Sequence, residues 1–332
     1  MSSTRPLAVS MTPLESSREV VLHVAERAEQ LGYDAFFLAE GWGHDAGVLL
    51  AEVAARTQTI QIGTGIINIW GRSAAGVAML ANSLASVSGG RFILGLGAGS
   101  PSLAEGLHGV EFVAPVARLA AVAREVRGLL DGERLTSSVP GRSRPLKLAV
   151  RPASEIPVYL AALGPSAVRL CGQVADGWLP FLLPRSGLQD GIELLREGVD
   201  RGDPGRPLPR VCPALPLAVS ADPVQARKVA SWWVVFYLLS MGPLYRDALT
   251  RQGLGDAVSA VLAANPDART HHVPESAQVL IDELTLFGDP EHAHAALDSW
   301  YETGAQMPAL TLPPGRDLAE LDYMLEVMRP TR

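Results

Sequence analysis

Residues 33–69 read YDAFFLAEGWGHDAGVLLAEVAARTQTIQIGTGIINI, and this stretch indicates the fold. Residues 33–39 form an apolar run of strand length, and residues 60–69 form a second run rich in β-branched side chains. Between them, residues 46–56 place alanine, valine and leucine at helical spacing. A strand, a helix and another strand in this order are typical of a parallel sheet with helical crossovers.

The same alternation continues along the rest of the chain. Candidate strands lie at residues 6–12, 33–39, 60–69, 91–96, 157–163, 177–182, 210–219 and 308–312. Because these eight strands are each followed by helical sequence, and because eight parallel strands close a barrel, we predict an α/β fold of the (β/α)8 TIM barrel type. A doubly wound open sheet shares the local pattern and is the alternative.

We expect residues 1–332 to form a single domain with two insertions. Residues 131–151 are rich in Gly, Pro, Ser and Arg and interrupt the alternation, which indicates an inserted loop or hairpin. Residues 240–288 exceed what one crossover needs, so we predict an extra helical insertion before the eighth strand.

The composition of the chain argues against nucleic acid and membrane lipid as binding partners. The 332 residues include 28 Lys and Arg against 35 Asp and Glu, a net charge of −7, which argues against nucleic acid. Two distant cysteines suggest no disulfide framework and fit the cytoplasm. Residues 229–241, the longest apolar stretch, are shorter than the roughly 20 residues that span a bilayer. We therefore expect a soluble cytoplasmic protein with a small-molecule substrate.

The candidate site lies where the strands end, because barrel enzymes bind ligands at the carboxyl ends of their strands. Glu40 and His44 follow the second strand, and Glu105 and His108 follow the fourth. The glycines at 95–99 lack the spacing of a dinucleotide fingerprint, and a tight turn or close backbone approach to a flat ligand remain as alternatives.

A different motif indicates an anion site after the fifth strand. Gly164, Pro165 and Ser166 open a helix whose free amides favour a phosphate, although an ordinary helix start has the same sequence. The seven histidines are not spaced as metal ligands, and no nucleophile motif is present, so we predict no metal and no covalent hydrolysis. An apolar, glycine-lined site with few acids suits redox chemistry on a bound planar ring.

Four aromatic residues are candidates for the substrate pocket. Trp42 and Trp70 lie in loops where they would stack on a ligand, with burial in the core as the alternative. Trp233 and Tyr237 belong to an apolar helix that would line the pocket or pack against the barrel or a second subunit. His108 joins this set by its position in the loop after the fourth strand.

Five segments carry a resemblance to a known family: residues 40–45 (EGWGHD), 63–68 (GTGIIN), 88–97 (SGGRFILGLG), 105–109 (EGLHG) and 157–165 (PVYLAALGP). With them the chain resembles the luciferase-like monooxygenase superfamily, specifically its coenzyme F420-dependent branch, which includes methylenetetrahydromethanopterin reductase. The resemblance covers nearly the whole chain. It implies a luciferase-like (β/α)8 barrel, a homodimer, and an oxidoreductase that uses coenzyme F420.

The resemblance also implies a cofactor-binding set. A cis peptide bond between Gly65 and Ile66 would press against the deazaflavin ring, residues 97–100 would border the ring, and residues 164–166 would hold the phosphate. The full set is Gly65, Ile66, Asn68, Gly97, Ala98, Gly99, Ser100, Leu163, Gly164, Pro165 and Ser166.

The catalytic residues follow less directly from the resemblance. Other branches place an Asp-His pair after strand two, where this chain has Glu40 and Gly41, so their histidine has no counterpart. We predict Glu40 as the proton donor, Glu105 as the second choice and His44 as a further catalytic candidate. The expected reaction is hydride transfer between deazaflavin C5 and a small organic substrate. An FMN-dependent monooxygenase and a non-catalytic flavin- or F420-binding protein are the alternatives.

Overall fold

A computed structural model describes residues 5–135, 144–267 and 269–331. The strands are β1 (Ala8–Met11), β2 (Ala35–Leu38), β3 (Gln61–Thr64), β4 (Ile67–Asn68), β5 (Phe92–Gly97), β6 (Val158–Ala161), β7 (Gly177–Trp178), β8 (Arg210–Val211), β9 (Ala214–Val219), β10 (Leu286–Gly288) and β11 (Ala309–Leu312). The helices are α1 (Arg18–Leu31), α2 (Ala46–Arg56), α3 (Ala74–Val87), α4 (Pro115–Leu130), α5 (Pro165–Val174), α6 (Leu188–Arg201), α7 (Pro223–Ser240), α8 (Pro243–Leu249), α9 (Gly255–Ala264), α10 (Gln278–Leu284), α11 (Pro290–Glu302) and α12 (Leu318–Val327).

All strand pairs in the described sheet are parallel, as the sequence predicts. The strand order is β10-β9-β11-β1-β2-β3-β5-β6-β7-β8, and β4 lies beside β5. The register places Val9 of β1 opposite both Leu310 of β11 and Phe36 of β2. The α/β class with helical crossovers is therefore confirmed.

Two predicted strands are divided in the structure. The run at 60–69 forms β3 and β4, separated by Gly65 and Ile66, whose peptide bond is cis as the resemblance implies. The run at 210–219 forms β8 and β9, separated at Pro213, whose nitrogen carries no hydrogen for a strand ladder. The short strand β10 pairs with β9 and is an addition to the prediction.

The core has an outer layer between helices and sheet and an inner layer within the curved sheet. The outer layer includes Val9, Phe36 and Leu94, which are buried against the surrounding helices. The inner layer is small and is formed by Ala8, Ala35, Phe37, Ile93, Tyr159, Leu179, Cys212, Met307 and Ala309. Strands buried on both faces read as continuous apolar runs, which is why the sequence lacks polar alternation in them.

The helices around the site begin and end as their sequences dictate. Asp45 caps α2 by accepting hydrogen bonds from the amides of Gly47 and Val48, at 2.8 and 3.2 Å. Gly32 ends α1 with φ 84°, a conformation that glycine adopts without a Cβ clash. Gly32 therefore turns the chain from α1 towards β2, and Asp45 ends the loop that follows β2.

Two regions were predicted as insertions. Residues 240–288 contain α8, α9, α10 and β10. They enclose a second apolar cluster against α7. The centre of the predicted 131–151 insertion, residues 136–143, lies outside the described residues. No helix in the described ranges is long and apolar enough to cross a membrane.

Candidate cofactor and substrate site

A cavity of about 560 Å³ opens at the carboxyl ends of β1, β2, β3, β5 and β6. Its lining includes ten residues of the cofactor set implied by the resemblance: Gly65, Ile66, Gly97, Ala98, Gly99, Ser100, Leu163, Gly164, Pro165 and Ser166. Glu40 and Tyr237 also line it. The strand ends and the helix start of α5 therefore meet around one space.

The gap between β3 and β4 forms one wall of this cavity. The amide of Gly65 donates to Leu38 O at 2.8 Å, and the amide of Glu40 donates to Ile66 O at 2.9 Å. These bonds hold the gap to the end of β2. A Cβ added at Gly97 would lie 2.8 Å from the Ile66 side chain, so the glycine lets Ile66 pack directly on the β5 backbone. The wall formed is apolar and carries few projecting atoms.

The start of α5 opens into the same cavity. Gly164 has extended φ and ψ angles of −80° and 148°, and no side chain caps the helix. A Cβ built on Gly164 would meet nothing within 4 Å, so the space in front of the helix is open. The first amides of an α-helix have no partner within the helix and carry partial positive charge, which favours a phosphate group.

Asn68 differs from the rest of the predicted cofactor set because it is fully buried and is not among the cavity-lining residues. Its Oδ1 accepts hydrogen bonds from the amides of Trp70 and Gly71, at 2.9 and 3.0 Å. Its Nδ2 lies 3.2 Å from His108 Nε2. Asn68 therefore holds the loop after β4 and does not itself contact the cavity.

Glu40 lines the cavity, but its carboxylate is bound to other protein groups. Its side chain is 7% exposed. Arg72 donates to both oxygens, at 2.5 and 2.8 Å, and the amide of Ala46 donates at 3.0 Å. The bond to Glu40 raises the pKa of Arg72. An ionised carboxylate accepts hydrogen bonds and donates none, so this arrangement opposes the predicted role of Glu40 as proton donor.

The two other predicted catalytic residues are not among the residues that line the cavity. His44 is exposed, and its Nε2 lies 3.0 Å from Ser16 O, on the outer side of the β2–α2 loop. Glu105 is exposed in a π-helical turn at Ser102–Leu107 and accepts from the amide of Phe112 at 3.1 Å. Both side chains stabilise loops near the site in this structure.

The predicted substrate residues are divided between the cavity and its surroundings. Tyr237 lines the cavity, whereas Trp42, Trp70, His108 and Trp233 are not among its lining residues. Trp42 is 54% exposed, and Trp233 is fully buried with its Nε1 donating to Leu217 O at 3.1 Å. Trp70 packs on Phe112 with a ring-centroid separation of 5.1 Å.

Several residues of the lining escaped the sequence analysis. Ser10 and Thr12 belong to the end of β1 and could have been found by the strand-end rule that identified Glu40. Phe181, Tyr245 and Arg251 also line the cavity. Tyr245 and Arg251 lie in the insertion before the last strand, where the sequence carries no motif that links them to the site.

The fold and the cavity together define a class of protein. A parallel α/β sheet with an apolar cavity at its carboxyl edge, a glycine-rich wall and an open helix start is an enzyme-type site for an anionic organic ligand. Comparison with known proteins gives the family. The profile of the luciferase-like monooxygenases matches residues 5–307, and the chain belongs to that family.

Three known proteins illustrate the relationship. A protein of Mycobacterium tuberculosis named as a coenzyme F420-dependent oxidoreductase is 31% identical over 89% of this chain and 92% of its own length. The 5,10-methylenetetrahydromethanopterin reductase of Methanolobus tindarius is 27% identical over 89% of this chain and 90% of its own. The solved structure of the coenzyme F420-dependent tetrahydromethanopterin reductase of Methanopyrus kandleri superposes with a TM-score of 0.81, at 18% identity, over 98% of both chains.

Proposed function

We propose that the protein is an F420-dependent oxidoreductase that transfers a hydride between C5 of the deazaflavin and a small organic substrate. The observation that carries the proposal is one cavity that joins the Gly65–Ile66 wall to the open start of α5. The names of the Mycobacterium and Methanolobus relatives support F420 as the cofactor.

The residues of the cavity fit the chemical parts of this cofactor. The amides of Ser166 and Ala167 at the start of α5 would bind the phosphate. Ile66 and Gly97 would support one face of a planar ring, because neither projects a polar group into the space. Ala98, Gly99 and Ser100 would border the ring edge. When bound, reduced F420 supplies a hydride.

The chain itself contributes orientation and exclusion of water. Phe37, Leu179 and Phe181 make the inner lining apolar, so a bound ring and substrate would be largely removed from solvent. The ion pair of Glu40 and Arg72 holds the loop after β2 against the loop after β4. We assign Glu40 to this positioning role and treat the proton donor separately below.

Binding experiments test the assignment. We expect saturable quenching of F420 fluorescence when the protein is added, with no comparable binding of FMN. Binding of FMN with consumption of oxygen would instead identify a monooxygenase. Binding of F420 without hydride transfer to or from any of a panel of aldehydes, ketones, alcohols and imines would identify a cofactor-binding protein that lacks catalysis.

We also propose that the sheet is a closed (β/α)8 barrel within a single domain. Support comes from hydrogen bonds on both sides of Pro213: the amide of Cys212 donates to Trp178 O at 2.9 Å, and the amide of Ala309 donates to Pro213 O at 2.8 Å. With these bonds β8 and β9 act as one interrupted strand between β7 and β11.

A homodimer in the cytoplasm completes the proposal. Val48 on α2 and Met79 on α3 are 70% and 61% exposed, and a second subunit would cover such apolar side chains. Cys171 and Cys212 are both free and buried, which is compatible with a reducing compartment. Light scattering after size-exclusion chromatography tests the dimer, since it measures mass independently of shape.

A further inference from the structure

One wall of the cavity is an aromatic cluster built from three elements. Phe181 follows β7, Tyr237 lies on α7 and Tyr245 lies on α8, and all three line the cavity. The ring centroids of Phe181 and Tyr237 are 4.9 Å apart, and those of Tyr237 and Tyr245 are 5.3 Å apart at 89°. These edge-to-face contacts fix the direction of both tyrosine rings.

The hydroxyls of these two tyrosines have no hydrogen-bond partner among the described residues. Two other buried or half-buried tyrosines of the described chain do have partners. Tyr33 donates to Leu325 O at 3.0 Å, and Tyr301 donates to Pro6 O at 2.9 Å. A buried hydroxyl without a partner costs about 1–3 kcal/mol, so such a group calls for an explanation.

The cavity supplies that explanation. Tyr237 is only 4% exposed. No polar side-chain atom of the described residues is both fully enclosed and without a partner, so the Tyr237 hydroxyl must reach the open space of the cavity. Tyr245 lines the same space. Burial raises the pKa of both tyrosines, with the neighbouring Tyr245 adding to the effect on Tyr237, so both hydroxyls keep their protons.

The surroundings indicate what these hydroxyls would bind. Phe181, Met241 and Leu244 beside them are apolar, and Arg251, the cation in the same lining, is exposed to solvent. Two neutral donors against an apolar wall match a neutral group with a strong hydrogen-bond acceptor, such as a carbonyl oxygen. Such donors also stabilise the negative charge that develops on that oxygen when hydride adds to the carbon.

We propose that Tyr237 and Tyr245 donate hydrogen bonds to the oxygen of an apolar aldehyde or ketone, and that Tyr237 is the proton donor in its reduction. The inference rests on the proposed function. The carbonyl carbon would receive the hydride and form a new C–H bond, while the C5–H bond of the reduced cofactor would break, so that the carbonyl is reduced and the cofactor oxidised by two electrons. The π electron pair moves to the oxygen, which takes the proton of Tyr237, and the tyrosinate regains a proton from solvent. In reverse, an alcohol is oxidised.

A pair of probes of equal shape tests the hydrogen bonds. Acetophenone carries a carbonyl oxygen where α-methylstyrene carries a methylene group. Ligand-observed NMR titration would measure both affinities, with and without F420. We expect the wild-type protein to prefer the ketone by about thirtyfold, the value of two net hydrogen bonds of about 1 kcal/mol each.

Conservative variants assign the preference to the tyrosines. Tyr237→Phe and Tyr245→Phe should each reduce the preference to about fivefold, because one of the two hydrogen bonds remains. Tyr33→Phe is the matched control, because it removes a buried hydroxyl whose partner is Leu325 O, outside the cavity lining, and should leave the preference unchanged. Equal affinities in the wild type, including no binding of either probe, would overturn the proposal, as would a preference that survives both variants together.

Kinetics test the proton transfer. With reduced F420 and acetophenone, Tyr237→Phe should lower kcat by about a hundredfold, a typical contribution of a general acid, and should raise KM by about fivefold because one hydrogen bond to the ketone is lost. The F420 dissociation constant should stay at the wild-type value. Undiminished turnover in Tyr237→Phe, or a ketone that binds preferentially and is not reduced, would contradict the donor role. Failure of F420 to bind would refute the proposed function, whereas the probe pair without cofactor still tests the tyrosines.

Discussion

Glu40 and Arg72 form a bidentate ion pair at the edge of the cavity, with their nitrogen and oxygen atoms 2.5 and 2.8 Å apart. Arg72 also donates to Asp45 Oδ2 at 2.5 Å, and Asp45 caps α2. The arginine therefore connects the loop after β4 to the start of α2. Glu40, the predicted proton donor, is thus held in an ion pair with Arg72.

Removal of Arg72 should destabilise the protein more than removal of an exposed arginine. Arg72→Met leaves the Glu40 carboxylate, 7% exposed, without its charge partner, so we expect a loss of about 3 kcal/mol in the free energy of unfolding. Arg196→Met is the control, because Arg196 and Glu193 are 53% and 63% exposed, and its effect should stay within about 0.5 kcal/mol. Chemical denaturation measures both values. Equal effects would show that the Glu40 pair has no special structural role.

A side chain at Gly164 should weaken cofactor binding without lowering the stability of the fold. Because a Cβ at this position meets no protein atom within 4 Å and φ is −80°, Gly164→Ala should leave the thermal unfolding temperature unchanged. The new methyl group would occupy the phosphate space, and we expect F420 affinity to fall by about tenfold or more, as for an overpacked contact.

The matched control for this variant is Gly106→Ala. Gly106 also has open space around its Cβ position, and it is not among the residues that line the cavity. Fluorescence titration should give the wild-type F420 dissociation constant for Gly106→Ala. If both alanine variants bind F420 equally well, the cofactor does not approach the start of α5.

A negative charge at the start of α5 should lower the affinity for F420 without lowering the stability of the protein. Ser166→Asp places a carboxylate in the first turn of α5, where it interacts favourably with the helix dipole, so stability should stay equal or rise slightly. The same charge repels a phosphate, and F420 affinity should fall by about tenfold, less at high salt. Ser73→Asp, at the cap of α3 outside the cavity lining, should keep wild-type affinity. A tighter complex with Ser166→Asp would exclude an anion at the start of α5.

Alkaline titration should reveal the buried tyrosines. Burial raises the pKa of Tyr33, Tyr237, Tyr245 and Tyr301, and raises that of Tyr159 to about 12. The folded-state pKa values exceed the ordinary value near 10, so these groups contribute stability that is complete below about pH 10 and is lost as pH rises through the folded values.

The readout is tyrosinate absorbance near 295 nm. At about pH 10.5 the native protein should show less than half of the tyrosinate signal of the same protein in concentrated guanidinium chloride. Five of the six tyrosines are in this group, which makes the difference large. Equal signals in the two conditions would mean that the rings are not buried as described.

The order of elements could be predicted from the sequence because local signals agree with the fold. The predicted helix at 46–56 coincides with α2. The resemblance implied a cofactor set of eleven residues, of which ten line the cavity and Asn68 does not. The glycines and the proline of this set mark open backbone positions, but from the sequence alone a tight turn and an ordinary helix start remained as alternatives.

Side-chain partners could not be predicted in the same way. Glu40 and Arg72 are separated by 32 positions, and their contact depends on how two loops pack after the strands pair. His44 and Glu105 follow the predicted strands, but the loop paths direct them to Ser16 and Phe112. Tyr245 belongs to the insertion, and its approach to Tyr237 depends on the packing of α8 on α7. The direction of a loop side chain and its distance from a partner depend on tertiary packing, which local sequence patterns do not encode.

The most direct test of the account is a crystal structure of the protein with bound F420. We expect the deazaflavin ring to lie against the Gly65–Ile66 wall, with the phosphate within hydrogen-bond distance of the Ser166 amide. We also expect the hydroxyl of Tyr237 on the exposed face of the ring, where a substrate would bind. Density for F420 outside this cavity, or a phosphate remote from the start of α5, would contradict it.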